Sequence, residues 1–418
     1  MIQRRIRLPL ILAAVTSTFA FQAPPPVAAA PAPFTDIAAS PFRADIEWLF
    51  NEGVTGGCTT TRYCPDAGVT REQMASFLVR LFGLPAATQD AFGDDDGTIH
   101  EANINRVAAA GITGGCATGR FCPRALVTRE QMASFLARAA GLAYAPADYF
   151  LDDERSAHEA DINRAAAAGI TGGCGEYRYC SRATITRGRM AAFLHRTRDP
   201  GRVPTALPDA GPLPACTYED QPTARTGYDQ WQRTLLDTIY TLPTSYRPPD
   251  LVDTSTAGAN GGYAIRAVAR ADLAAMVSAA RSAGRSLKIV SAYRSYEAQV
   301  ATFNGHVARY GLATALRRSA RPGHSEHQLG TTIDFTHAGG ALPWSYADWA
   351  THPAGAWMRD NAWRYGWLLS YPKGAFTTAC YDYEPWHYRY IGREMAASVR
   401  ASGLTLREYL WRINGGNR

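Results

Sequence analysis

The chain has 418 residues, a formal net charge of +6, eight cysteines and 46% apolar residues. That length accommodates two or three domains with cores of their own, and 19% charged with 11% aromatic residues argue against disorder throughout. Beyond the N-terminal segment no apolar run approaches the ~18 residues of a bilayer span. The basic excess is arginine without an Arg-rich run or stripe, Lys288 and Lys373 being the only lysines, so no nucleic-acid partner is expected.

Residues 1–29 read as a secretory signal. Arg4, Arg5 and Arg7 form a basic start, Leu8 to Phe21 an apolar stretch interrupted by Pro9, and Val27-Ala28-Ala29-Ala30 a small-residue tract with cleavage expected after Ala29 or Ala30. A membrane anchor fits less well, because the apolar core is short and runs into Pro24-Pro25-Pro26. Loss of those three arginines lowers the formal charge from +6 to +3, and the mature chain is expected to have no membrane span.

Export makes disulfides the expected state of the cysteines. Six form three Cys-x5-Cys pairs, Cys58/Cys64, Cys116/Cys122 and Cys174/Cys180, and Cys216 and Cys380 remain. A zinc site would want Cys-x2-Cys or nearby histidines, which the pairs lack. The expected connectivity is therefore three short local bridges plus Cys216–Cys380.

The pairs recur at a constant 58-residue offset, and so do Phe34-Thr35-Asp36, Phe92-Gly93-Asp94 and Phe150-Leu151-Asp152, and the turns Gly53-Val54-Thr55-Gly56-Gly57, Gly111-Ile112-Thr113-Gly114-Gly115 and Gly169-Ile170-Thr171-Gly172-Gly173. An offset held through three copies identifies repeats, at 34–86, 92–144 and 150–198. Each reads as two helices joined by a Gly-rich loop. In the first, Ile46, Leu49 and Phe50 form an apolar stripe that Gly53 stops. Thr70-Arg71-Glu72-Gln73 is a capping box that opens the second helix, with Met74, Phe77, Leu78, Leu81 and Phe82 on its buried face. The box returns as Thr128-Arg129-Glu130-Gln131 but not in Thr186-Arg187-Gly188-Arg189, where a helix start weaker by up to about 1 kcal/mol is expected.

The Phe-x-Asp opening, the Gly-Ile-Thr-Gly-Gly turn, the aromatic-x-Pro step (Tyr63-Cys64-Pro65, Phe121-Cys122-Pro123) and the Thr-Arg-Glu-Gln helix start resemble S-layer homology (SLH) repeats. The resemblance implies a pseudo-threefold bundle whose grooves hold cell-wall polysaccharide. It makes Arg71, Arg129 and Arg187 candidate contacts to an anionic glycan, the alternative being solvated first-turn residues. The cysteines are not part of the usual SLH pattern.

Residues 199–214, rich in Pro, Gly and Ala, read as a fairly stiff, exposed linker. The remaining 215–418 suffice for one α+β catalytic domain, with helix-like stretches at Asp229–Thr241 and Arg270–Ala283 and strand-like ones at Leu287–Val290 and Tyr383–Ile391. Six of the nine histidines lie between His306 and His387. A catalytic zinc takes three N/O ligands and keeps a fourth position for water. His327, Asp334 and His387 can supply that set, with Glu384 nearby to accept a proton; unconnected structural histidines fit the spacing equally well. Pro385 excludes a helix-borne Glu-x-x-His.

Ser325-x-His327-Gln328-x-Gly330-x3-Asp334, Glu384-Pro385-Trp386-His387-Tyr388-Arg389-Tyr390, Ser291-Ala292-Tyr293-Arg294-Ser295 with Gln299, and Tyr365-Gly366-Trp367 leading to Tyr371-Pro372 together resemble the VanY-type D-alanyl-D-alanine carboxypeptidases, zinc peptidases of the hedgehog/VanX-like fold. The resemblance implies one Zn2+ in the catalytic domain on His327, Asp334 and His387, Glu384 as general base, and Arg294 as the cation that polarises the scissile carbonyl. Ser325, Gln299 and Trp386 would bind substrate, though Trp386 also suits packing beneath the metal. His324 is expected in a loop rather than as a fourth ligand. Ser370, where relatives often carry Arg, and Thr331-Thr332 depart from the pattern without touching the ligands.

The function implied is a secreted, cell-wall-associated zinc carboxypeptidase that removes a C-terminal D-Ala from peptidoglycan stem peptides, anchored to anionic wall polysaccharide by its repeats. An L,D-carboxypeptidase or an endopeptidase is the nearest alternative, since the catalytic set does not encode which bond is cut. A non-catalytic wall-binding protein is the other, and intact His327, Asp334, Glu384 and His387 argue against it.

Overall fold

The computed structural model describes residues 32–417; the expected signal segment lies outside them. The first repeat holds α1 (Arg43–Asn51) and α2 (Arg71–Phe82), the second α3 (Glu101–Ala109) and α4 (Arg129–Ala139), and the third α5 (Glu159–Ala167) and α6 (Arg187–Arg196). Thr70 and Thr128 carry complete capping boxes, whereas Thr186 caps α6 without one. The box is missing because Arg189 stands where the other copies have Gln73 and Gln131, and the glycine before it has a packing reason: a Cβ at Gly188 would stand 2.7 Å from the Phe42 ring of the first repeat.

Each repeated motif has a local cause. The Asp36 carboxylate accepts the backbone N–H groups of Tyr63 and Cys64, both at 2.8 Å, and Asp94 and Asp152 do the same for Phe121/Cys122 and Tyr179/Cys180. Gly57 has φ +92, and a Cβ there would lie 2.6 Å from the Phe34 ring; Gly115 and Gly173 meet Phe92 and Phe150 likewise. The Phe-x-Asp opening and the Gly-Gly turn are thus two halves of one contact, which the disulfides Cys58–Cys64, Cys116–Cys122 and Cys174–Cys180 close.

The repeats join cyclically. Helix α2 packs on α3, α4 on α5 and α6 back on α1. Val127 N–H donates to Val69, Ile185 to Val127 and Val69 to Ile185, at 2.9, 2.9 and 3.2 Å. Arg71, Arg129 and Arg187 lie in these seams, only 4–5% exposed. Their Nε–H groups donate to the carbonyls of Phe121, Tyr179 and Tyr63 at 2.7, 2.8 and 2.8 Å, and each guanidinium covers the aromatic ring of the repeat it reaches. The solvated first-turn alternative for these arginines is therefore wrong, because the seam buries them.

The linker is largely exposed but clamped at its end. Leu207 N–H donates to Asp148, Trp411 Nε1–H to Gly211 and Arg407 to Pro214. Four short strands follow as two pairs: β1 (Gln221–Pro222) parallel to β2 (Tyr240–Thr241), and β3 (Leu251–Asp253) antiparallel to β4 (Ala264–Arg266). The stretch Asp229–Thr241, expected as a helix, is instead a run of turns ending in β2. Its buried polar side chains compete for the backbone: Asp237 accepts from the N–H groups of Ile239 and Tyr240, and Thr234 donates to the Arg225 and Gln230 carbonyls.

Helix α7 (Ala267–Ser282) then packs on a four-stranded antiparallel sheet of order β5 (Leu287–Ser291), β6 (Thr332–His337), β8 (His387–Tyr390), β7 (Trp367–Leu369). Ile333, Phe335, Tyr388 and Tyr390 alternate into the core with Leu273, Met276, Trp349 and Met358, leaving Asp334, His387 and Arg389 on the other face. Strand β8 begins only at His387, so Glu384 sits in the preceding turn. Helices α8 (Tyr296–Tyr310), α9 (Leu312–Arg318), α10 (Pro353–Asn361), α11 (Phe376–Ala379), α12 (Arg393–Ser402) and α13 (Leu406–Asn414) complete the domain, α10 against β6 and α12 against β7. Cys216–Cys380 ties the domain's entry to the end of α11. None of the helices among the described residues is long and apolar enough to cross a membrane.

Candidate active site

The centre is set by strand register. Asp334 on β6 pairs directly with His387 on β8, so both side chains leave the sheet on the same face. The irregularity between Ile289 and Ser291 on β5 brings Ser291 opposite Asp334 from the other side and leads the chain to Arg294. His327 arrives on the short 3-10 turn Glu326–Leu329, just before β6.

His327 Nε2 stands 3.2 Å from one Asp334 oxygen and His387 Nδ1 3.1 Å from the other. The two rings are edge-on at 5.0 Å. All three residues are buried, and one ligand atom from each lies within 4.8 Å of the others. The outward ring nitrogens are engaged as well: His327 Nδ1 bonds the Ala292 carbonyl at 2.7 Å and His387 Nε2 the Glu326 carboxylate at 3.0 Å. Such outer bonds fix the tautomer and aim the inner nitrogens at a common point. Two imidazole nitrogens and a carboxylate oxygen in a buried pocket fit zinc.

Glu384 lies 3.6 Å from His387 Nδ1 with 19% of its side chain exposed. Burial pushes its carboxyl up to about 8, with Asp334 adding to the push and His387 and Arg294 opposing it. Burial also pulls the Arg294 guanidinium down, while Asp334 and Glu384 favour its charge. Arg294 is aimed by its neighbours, donating to Gln299 Oε1 at 2.8 Å and to Ser291 Oγ at 2.7 Å.

That geometry changes the part expected of Gln299. It is fully buried, and its Nε2–H donates to the Ala320 carbonyl at 2.6 Å. Both ends are committed, so it orients Arg294 instead of holding substrate. Ser325 is 3% exposed at the start of the His327 turn. Trp386 is half-buried against Trp344, ring centres 6.0 Å apart, and Trp344 itself is 48% exposed. His324 bonds the Asp237 carbonyl and Asp220 away from the centre, as a loop residue should.

A supporting layer lies behind these residues. Arg389, 0% exposed, donates to Glu326 at 2.9 Å and to the carbonyls of Trp231 and Thr234. Ser370 Oγ–H donates to Glu326 at 2.6 Å. Burial disfavours charge on Glu326, but Arg389 and His387 overcome it and hold the carboxyl down at about 2. Tyr371 packs on the His387 ring at 4.7 Å. The available signal was periodicity: Arg389 stands two residues after His387 on one strand, hence on the same buried face, where a guanidinium demands an acid.

A buried His–Asp–His cluster that could hold a metal ion, flanked by a carboxyl and an anchored guanidinium, has the makings of a hydrolytic centre. Comparison with known proteins gives the class its family. Residues 263–393 match the family model "VanY: D-alanyl-D-alanine carboxypeptidase", and residues 33–75 and 94–133 match the S-layer homology domain. The chain is 36% identical over 183 residues to the putative carboxypeptidase YodJ of Bacillus subtilis, covering 43% of this chain and 67% of that one. A D-alanyl-D-alanine carboxypeptidase of Enterococcus faecalis is 34% identical, and the chain spans about half of its length, 50%. Among solved structures, the LdcB LD-carboxypeptidase is 34% identical (44% of this chain, 88% of that one, TM-score 0.40), and a VanY D,D-pentapeptidase variant in complex with Zn(II) is 31% identical (43% and 99%, TM-score 0.38). The chain belongs to the VanY D-alanyl-D-alanine carboxypeptidase family and carries S-layer homology repeats at its N-terminal end.

Proposed function

We propose that this protein is a secreted zinc carboxypeptidase of the cell wall that removes a C-terminal D-Ala from peptidoglycan stem peptides. The observation that carries the reading is the Asp334–His387 register pair closed by His327, with Glu384 at 3.6 Å. His327 Nε2, an Asp334 oxygen and His387 Nδ1 would hold one zinc ion, which when bound supplies Lewis acidity toward water and the scissile carbonyl.

The remaining chemistry belongs to the chain. Glu384 accepts a proton from the attacking water and delivers it to the departing amine as the C–N bond breaks. A carboxyl raised to about 8 exchanges protons near neutral pH. Arg294, held by Gln299 and Ser291, stabilises negative charge that builds on the carbonyl oxygen in the tetrahedral state. Trp386 and the exposed Trp344 offer an apolar wall for the substrate beside the centre, and Ser325 a nearby hydroxyl.

The cyclic seams support a pseudo-threefold bundle as the anchoring module. Nη2 of Arg71, Arg129 and Arg187 is buried without an acceptor among the described residues. Each seam therefore retains one charged donor, suited to an acidic group of wall polysaccharide. Removal of residues 34–198 is expected to abolish sedimentation with purified cell walls, and unchanged sedimentation would refute the anchor.

The cluster does not encode which bond is cut, so L,D cleavage is the second reading. Incubation with defined pentapeptide and tetrapeptide stems, read by mass, separates the two. Loss of D-Ala from the pentapeptide alone supports D,D cleavage, and loss from the tetrapeptide alone supports L,D cleavage.

A further inference from the structure

The second and third repeats share an acidic cup that the first lacks. Asp90, Asp95, Asp96 and Glu101 recur 58 residues later as Asp148, Asp153, Glu154 and Glu159, whereas the first repeat has Ala32, Ile37, Ala38 and Arg43. In all three copies the central residue is buried: Ile37 at 3%, Asp95 at 0% and Asp153 at 1% exposed. An isoleucine suffices for packing there, so the carboxylates need another reason.

In the third repeat a cation fills the rim of the cup. Arg412, on α13 of the peptidase domain, pairs with Asp148 at 3.0 Å and with Glu154. The second repeat receives no such side chain among the described residues. Its Asp90, Asp95 and Asp96 each offer an oxygen within 4.8 Å of the others. Both Asp95 oxygens are buried without a hydrogen-bond partner, and so is the Thr98 hydroxyl. Thr98 lines one depression with Asp90 and Glu101; Arg106 lines it too but pairs with none of the three aspartates. Gly97 N–H already donates to Glu101, at 2.8 Å, which leaves the aspartates to face the occupant.

We propose that Asp90, Asp95 and Asp96, with Thr98, form a calcium site in the second repeat. Hard oxygen donors alone, three carboxylates and a hydroxyl, select a hard divalent cation over a transition metal, and calcium tolerates the irregular set that a loop provides. Two orphaned oxygens on a fully buried aspartate are the cost that such an ion removes. Burial and the nearby Asp90, Glu101 and Asp94 raise the Asp95 carboxyl to about 6, so it remains ionised at neutral pH. Asp153, under its arginine-capped rim, is pushed to about 8 and keeps its proton there.

The test is calorimetric titration of the zinc-loaded full chain with calcium chloride, paired with thermal unfolding in calcium or in magnesium at matched ionic strength. One calcium per chain is expected, with a dissociation constant of roughly 10⁻⁴–10⁻³ M as in extracellular modules, and calcium should raise the unfolding midpoint by on the order of 5 °C at saturation. Asp95→Asn and the exposed Asp96→Asn should each weaken binding at least ~10-fold, while Glu154→Gln leaves it unchanged. Because Asp96 lies at the surface, that variant reads the site even if Asp95→Asn fails to fold. No calcium response, or an equal response in Asp96→Asn, overturns the proposal. A cup that ignores calcium but binds an arginine-bearing peptide would be a protein docking point like its counterpart in the third repeat, which also overturns it.

Discussion

Both halves of the molecule bury arginine, and they do so in opposite ways. In the peptidase domain Arg389 is 0% exposed and meets the Glu326 carboxylate and two carbonyls. In the repeats Arg71, Arg129 and Arg187 meet one carbonyl and an aromatic ring, with Nη2 left over. The first pairs its charge with an acid, leaving only Nε without a partner among the described residues, and orients His387 through Glu326. The second retains one unfulfilled charge per seam, a form suited to receiving an anion. Burial of a charged side chain therefore reports different things according to whether an acid meets its charge.

The largest effect on stability should come from breaking the Glu326–Arg389 pair. Glu326→Ala leaves Arg389 buried without its acid and should cost about 3–5 kcal/mol. It should also weaken zinc binding about 10–100-fold through the freed His387 ring; denaturant melts and a competitive zinc chelator measure the two. Next is the seam. Arg71→Met removes a charge-assisted bond to the Phe121 carbonyl, lowering stability by about 2 kcal/mol, and should reduce wall sedimentation while leaving peptidase activity intact.

A third test concerns the cup under Arg412. The Asp153 carboxyl is pushed up to about 8 by burial and by Asp148, Asp152 and Glu159, while in an unfolded chain it titrates near 3.8. Between those values the folded state holds a proton that the unfolded chain has released. The contribution is thus fully present below about pH 4 and is lost as pH rises through about 8, a swing on the order of a few kcal/mol. Urea midpoints across that range should fall in the wild type more steeply than in Asp153→Asn. The smallest effect is expected from Arg189→Gln, which restores the capping box at Thr186 and should add up to about 1 kcal/mol. Gly188 must stay, because Phe42 fills the space a side chain would need.

Much of this was legible from the chain alone. The 58-residue offset located the repeats, cysteine parity and spacing gave all four bridges, and α7 and β5 followed from pattern. The His327–Asp334–His387 cluster was legible because its residues sit in short ordered motifs. Other features depended on distant parts of the chain. Asp229–Thr241 has helical spacing, yet Asp237 and Thr234 spend its backbone groups locally. Gln299 looked free for substrate until the fold brought Ala320 to its amide. Arg389 stands in the Glu384–Tyr390 motif and Glu326 between Ser325 and His327, but their pairing needs the turn before β6 to lie beside β8, and spacing along the chain does not encode that.

The central claim is that the register-paired Asp334 and His387, with His327, build a centre in which Glu384 moves the proton. The most direct measurement is the rate of D-Ala release from a pentapeptide stem by the zinc-loaded wild type and by Glu384→Ala carrying the same zinc. Loss of the carboxyl should lower the rate about 10²–10⁴-fold with metal content unchanged. Equal rates in the two proteins, or no release by the wild type from this or the tetrapeptide stem, would contradict the account.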